Sequence, residues 1–159
     1  MILKRGVTGF TSEDLSLERD WSAHTAEFKK YCYAYVQQLN GRMMAFYEPD
    51  HDIGYAHAHV KIGEKEFYIF HNNMYDYIAF TSNRDIVDLK FLDPQIVGAL
   101  FENHYTVLTA SQLAEPLVYQ TNGKGIILMN ANELNDVELR FMKHFRSQTV
   151  GDLVFNYWD

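Results

Sequence analysis

The stretch Tyr55-Ala-His-Ala-His-Val-Lys-Ile62 alternates between small or branched apolar residues and polar or aromatic ones. Successive side chains of a strand point to opposite faces. Ala56, Ala58, Val60 and Ile62 therefore form one apolar face, and Tyr55, His57, His59 and Lys61 form the other. The uniformly apolar set predicts the core face, which sends both histidines away from the interior. A following run at 66–71, rich in β-formers, predicts a hairpin with a loop over 63–66. That loop pairs Ile62 with Phe67 and Val60 with Ile69. It sets His59 opposite Phe70, His57 opposite Asn72 and Lys61 opposite Tyr68.

The same stretch raises a metal question, because His57 and His59 follow closely on Asp50, His51 and Asp52 in a chain with 7 histidines. A catalytic zinc needs three protein ligands and an open position. The expected register places no carboxylate and no third imidazole beside the pair, and Lys61 repels a cation there. A third ligand would have to come from Asp50, His51 or Asp52. An ordinary strand face is the preferred reading. A small metal-dependent or ligand-binding enzyme built on His51, His57 and His59 is the alternative.

Outward from the hairpin, 22–39 carries apolar residues at helical spacing (Phe28, Cys32, Tyr35, Val36, Leu39), with Asn40-Gly41 as the stop. A strand suits Tyr31-Cys-Tyr-Ala-Tyr-Val36 equally well, and the helix is preferred. Strands are expected at 42–48, 77–81 and 105–108. Asp93 is expected to cap a helix with Pro94 at its first position and a stripe of Ile96, Val97, Leu100 and Phe101. Ser111 predicts the cap of one further turn. A second hairpin is expected over 117–120 and 125–129. Two helices close the chain: one over 133–145, buried through Leu134, Val137, Phe141 and Phe145, and one from Thr149, where Thr149 and Asp152 match a capping box and Val150, Leu153, Val154 and Tyr157 turn inward. Strands flanked by helices without βαβ alternation predict a single α+β domain over 1–159, mostly antiparallel sheet with helices packed on it.

Composition narrows the function classes. The 159 residues are one domain's worth, and 47% hydrophobic content suffices for a packed interior. A formal charge of −7 disfavours nucleic acid and anionic membranes as partners and suits a basic one. A single cysteine, Cys32, removes internal disulfides and paired-cysteine zinc patterns, and its place on an apolar helix face predicts a core residue. With no signal-like start and no membrane-length apolar run, the expected compartment is the cytoplasm. Gly-x-Ser-x-Gly and the glycine-rich phosphate loops do not occur. No catalytic residue and no cofactor are expected.

Asn72-Asn-Met-Tyr-Asp-Tyr77 joins two expected strands without Gly or Pro. Its tyrosines either fold back onto the sheet or present a contact surface, since Tyr is enriched at protein interfaces. If the strands order sequentially, Tyr75, Asp76 and Tyr77 share one sheet end with Glu48, Asp50 and Asp52. These six residues are the candidate partner-binding surface.

The ending Thr149-Val-Gly-Asp-Leu-Val-Phe-Asn-Tyr-Trp-Asp159 resembles that of small acidic bacterial immunity proteins, the antitoxin partners of secreted polymorphic toxins. Tyr77-Ile-Ala-Phe80 and Phe91-Leu-Asp-Pro94 extend the likeness faintly, to well under half the chain. The tail is a capped helix that drives Phe155 and Trp158 inward, and it transfers no functional residue. The resemblance implies a non-enzymatic inhibitor that covers the active site of a basic toxin or nuclease. A structural subunit of a larger assembly is a third possibility, and the oligomeric state is left open.

Overall fold

The computed structural model describes residues 1–10, 21–50 and 53–158. In chain order the elements are α1 (Trp21–Gln38), β1 (Arg42–Tyr47), β2 (Tyr55–Ile62), β3 (Lys65–Asn72), β4 (Tyr77–Thr81), β5 (Phe91–Leu92), α2 (Gln95–Phe101), β6 (Thr106–Val107), α3 (Ala110–Leu113), β7 (Tyr119–Asn122), β8 (Gly125–Leu128), α4 (Asp136–His144) and α5 (Val150–Val154). The chain is α+β, as expected. Strands β1 to β5 lie side by side in sequence order and antiparallel. β6 pairs in parallel with the Tyr77–Ile78 end of β4, while β5 takes the Phe80–Thr81 end. β7 and β8 form a separate hairpin.

α1 is a helix, not a strand, and its end explains why. Asn40 adopts a left-handed φ of 56°, the Asn40 N–H donates to the Gln37 carbonyl and the Gly41 N–H to the Val36 carbonyl. These two bonds satisfy carbonyls that a helix terminus otherwise leaves open. Gly41 serves a different need. A Cβ there would lie 2.6 Å from the Lys61 carbonyl oxygen and 2.7 Å from Ile62 Cγ1. Gly41→Ala is therefore expected to cost about 1–3 kcal/mol in urea unfolding, because the clash is partly with backbone.

The β2–β3 hairpin is tighter than expected. Gly63, at φ 61°, starts a two-residue turn with Glu64. Glycine in that first position favours a turn whose twist matches the strands. Ile62 therefore pairs with Lys65, Val60 with Phe67, His59 with Tyr68, His57 with Phe70 and Lys61 with Glu66. The register differs from expectation by two residues, a shift that leaves every face unchanged. Alternation alone could not distinguish the two.

Both faces of the sheet are covered. On one, Phe28, Cys32 and Val36 of α1 and Val97 and Phe101 of α2 bury Ala56, Ala58, Val60, Ile69, Ile78 and Phe80. The face predicted to be the core is therefore a core. Its opposite is a second one: Tyr55, Phe70, Tyr77 and Ala79 are buried under Leu153, Phe155 and Trp158, together with Leu3 and Val7. Both histidines therefore point away from the α1–α2 core, as expected, onto a face that is itself covered.

Several boundaries move for local reasons. Pro94, not Asp93, occupies the cap of α2, and the Asp93 carboxylate instead accepts the Ala110 N–H that opens α3. Of the α2 stripe, Val97 and Phe101 are buried while Ile96 is exposed. Thr109, not Ser111, caps α3 through a capping box with Gln112. Residues 131–133 bond to Leu3 in extended form, so α4 starts only at Asp136, capped by Asn135 with Glu138. The fully buried residues of α4 are Glu138 and Met142; Leu134, Val137, Phe141 and Phe145 are half-buried. The Thr149–Asp152 capping box forms as expected, and Phe155 and Trp158 are buried, but Tyr157 is exposed. Among the described residues no helix is long and apolar enough to cross a membrane.

Candidate functional site

His57 and His59 do share a face of β2, and the packing there decides what each does. His57 is 5% exposed, and its ring stacks on Tyr47 at 4.6 Å with Phe70 at 5.3 Å. The Arg84 guanidinium lies 4.5 Å from the Tyr47 ring centre. Burial first, then Arg84, pushes the His57 imidazole down to about 4, partly opposed by Asp50. It is neutral near pH 7, and among the described residues its buried Nδ1 has no hydrogen-bond partner. His59 stacks on Tyr68 at 4.5 Å and its Nε2 lies 3.1 Å from a Glu66 carboxylate oxygen. That carboxylate corrects the expectation that none stands nearby, and the two-residue register shift is what delivers it. His51 falls outside the described residues. Among the described residues no group of three His, Cys, Asp or Glu is placed to hold a metal ion. Cys32 is buried in the α1 core, and burial pushes its thiol well up, away from the nucleophilic form.

The sequential strand order brings the ends of β1 and β3 and the start of β4 to one end of the sheet. Glu48 and Asp50 are exposed there, and the Asp50 carboxylate accepts the Ile53 N–H at 2.9 Å. Asp52 lies outside the described residues. The tyrosines of the β3–β4 turn face inward. Tyr77 is buried, and Tyr75 stacks on it at 5.7 Å while donating its hydroxyl to the Arg5 carbonyl. Of the six expected surface residues, Tyr77 is thus core and Tyr75 is tied to the N-terminal segment.

Asn72 shapes this turn in place of a glycine or proline. Its side-chain oxygen accepts the Met74 and Tyr75 N–H groups, and its amide donates to the Val7 and Val154 carbonyls. The turn ends on Asp76, held at a left-handed φ of 52°. One Asp76 oxygen lies 3.2 Å from Nε2 of the buried His71 and 3.7 Å from Nδ1 of His24 in the first turns of α1. A carboxylate has only acceptors, so His71 donates to Asp76 through Nε2. Ser22, Thr25, Ala26 and Lys29 of α1 line a shallow depression with Glu48 and Pro49. Glu48 and Asp76 thus flank the start of α1.

A second group of residues, not singled out from sequence, continues along α1. Tyr31 stacks on His104 at 4.1 Å and on Tyr35 at 5.6 Å, and Tyr35 and His104 are 6.5 Å apart, 18° from parallel. Tyr31 and Tyr35 are half-buried, and His104 and Glu27 are exposed. Burial and Tyr31 raise the Tyr35 hydroxyl, against a hydrogen bond from Asn103. Neighbouring Tyr105 is raised by burial and then by Glu27 and Asp76, which places both acids within electrostatic reach of this cluster. Residues 27, 31 and 35 are each four apart, the spacing that aligns side chains on one helix face; the partner His104 had no local signal.

The chain matches no family model, no curated protein and no solved structure. What the fold and this region define is an α+β protein whose surface around α1 combines aromatic rings with the acids Glu27, Glu48 and Asp76 and the bases Lys29 and Lys30.

Proposed function

We propose that the protein is a non-enzymatic inhibitor that binds a basic partner, in the manner of an immunity protein covering the active site of a toxin or nuclease. One observation carries the reading: exposed Glu48 and Asp50 and half-exposed Asp76 gather at one end of the sheet, next to the aromatic stripe of α1. The overall charge of −7 adds long-range attraction for a basic domain. Charge so placed chiefly speeds encounter, and close packing of the ring faces then slows release.

Growth rescue tests this. The neighbouring gene is expected to encode a toxin-like domain, and co-expression with it is expected to restore growth and to give a stoichiometric complex on purification. Glu48→Lys with Asp50→Lys is expected to slow association by about tenfold or more at low salt, with the loss fading at high salt. Failure of the unaltered protein to rescue growth or form the complex overturns the inhibitor reading. Salt-independent association, unchanged by the two substitutions, moves the contact away from this end of the sheet.

A further inference from the structure

Two Asn-Gly pairs occur in the chain, Asn40-Gly41 and Asn122-Gly123. Such a pair carries its own chemistry. The backbone nitrogen after an asparagine can attack the side-chain carbonyl carbon, and glycine, lacking a Cβ, leaves that approach open. The fold treats the two pairs oppositely. The Gly41 N–H donates to the Val36 carbonyl at 2.8 Å, Asn40 is held at its left-handed φ, and Gly41 lies against the Lys61 carbonyl. That nitrogen is engaged and its backbone closed in. Asn122 ends β7 and pairs with Gly125, so Gly123 and Lys124 form the turn. Asn122, Gly123 and Lys124 are all exposed, and no atom beyond the chain neighbours lies within 4 Å of where a Gly123 Cβ would sit. The Lys124 N–H donates to Asn122 Oδ1 at 2.8 Å. Attack on the amide carbon drives negative charge onto that same oxygen, where a backbone donor already in place stabilises it.

We propose that Asn122 is a site of spontaneous modification, with water as the only co-reactant. The Gly123 nitrogen bonds to Asn122 Cγ as the Cγ–Nδ2 bond breaks, and the proton of the Gly123 N–H leaves with Nδ2 as ammonia. Water then opens the resulting cyclic imide at either carbonyl. Opening at the side-chain carbonyl gives aspartate; opening at the backbone carbonyl gives isoaspartate, in which the chain continues through the former side chain. Either product exchanges a neutral amide for a carboxylate, one more negative charge on a chain already at −7. Isoaspartate also adds a carbon to the backbone at the residue that pairs with Gly125, which loosens the tip of the hairpin. The turn thus records the age of the molecule, in a segment, 117–132, that otherwise contains no acid.

Folded protein held at mildly alkaline pH, with its peptides mapped by mass over time, tests this. Asn122 is expected to convert about tenfold or more faster than Asn40, because Asn40 reacts only when the helix end opens. In urea the two rates are expected to converge. Gly123→Ala fits without a clash and at a φ outside the left-handed region. It is expected to slow Asn122 about tenfold by crowding the attacking nitrogen, and to leave Asn40 unchanged. Isoelectric focusing is expected to show an acidic form that grows in step with the converted peptide. Asn40 keeping pace with Asn122 in the folded chain, conversion at Asn122 seen only in urea, or indifference to Gly123→Ala overturns the proposal.

Discussion

Glu138→Ala is expected to destabilise the protein by about 3–5 kcal/mol, the largest effect of any single change considered. The Glu138 carboxylate is fully buried on α4 and serves two masters. One oxygen accepts the Thr8 hydroxyl at 2.7 Å and the Gly6 N–H at 3.0 Å, and the other closes the helix cap by accepting the Asn135 N–H at 3.0 Å. Gly6 and Gly9, at φ 85° and 80°, bend the N-terminal segment so that its N–H groups converge on this anion. Alanine leaves these donors buried and unpaired, which costs far more than the bonds themselves contributed. Glu138→Gln keeps an acceptor oxygen and is expected to lose roughly half as much. Urea unfolding gives the magnitude, and amide exchange at Gly6 and Thr8 shows whether the segment detaches before the rest unfolds. A loss under about 1 kcal/mol for the alanine variant would refute the anchoring role.

The second large effect is in acid. Burial holds the His57 imidazole down to about 4 in the folded chain, against the ordinary 6.5. Between those values the unfolded chain binds the proton and the folded chain does not, so stability falls as pH falls. The loss begins below about pH 6.5, levels off once pH passes the folded value, and totals roughly 3 kcal/mol. His57→Phe keeps a flat ring against Tyr47 and removes the titration. Its stability is expected to vary less over this window, and the difference between the two curves isolates the histidine. Parallel curves would mean that His57 takes up its proton within the fold.

How far the fold was readable depended on how local the deciding forces were. The alternation of β2, the helical stripe of α1 and the Thr149 capping box each lie within a few residues and were legible. The β2–β3 register was not, because a shift by two conserves the faces and only the preference of Gly63 for a tight turn decides it. Burial of the second face had a signal that alternation masks: Phe67-Tyr-Ile-Phe70 is nearly continuous in apolar residues, the pattern of a strand covered on both sides. Asn135 and Glu138 likewise carry a capping-box spacing that marks the true start of α4. For the surface, the acids were legible as charges, but the inward turn of Tyr75 and Tyr77 follows from Asn72 reaching Val7 and Val154. The stack of Tyr31 on His104 joins positions far apart in the chain, and no spacing rule announces it.

The double cover of the sheet also dictates an order of assembly. Tyr55 and Phe70 emerge from the ribosome early, yet Phe155, which packs on both, comes 100 and 85 residues later. Asn156 then donates to the Thr8 carbonyl, a link spanning 148 positions. Contacts so distant in sequence form slowly, and until they close the nascent sheet shows one greasy side to its surroundings. The stage most exposed to clumping, and most in need of a chaperone, is the interval before the final helix docks.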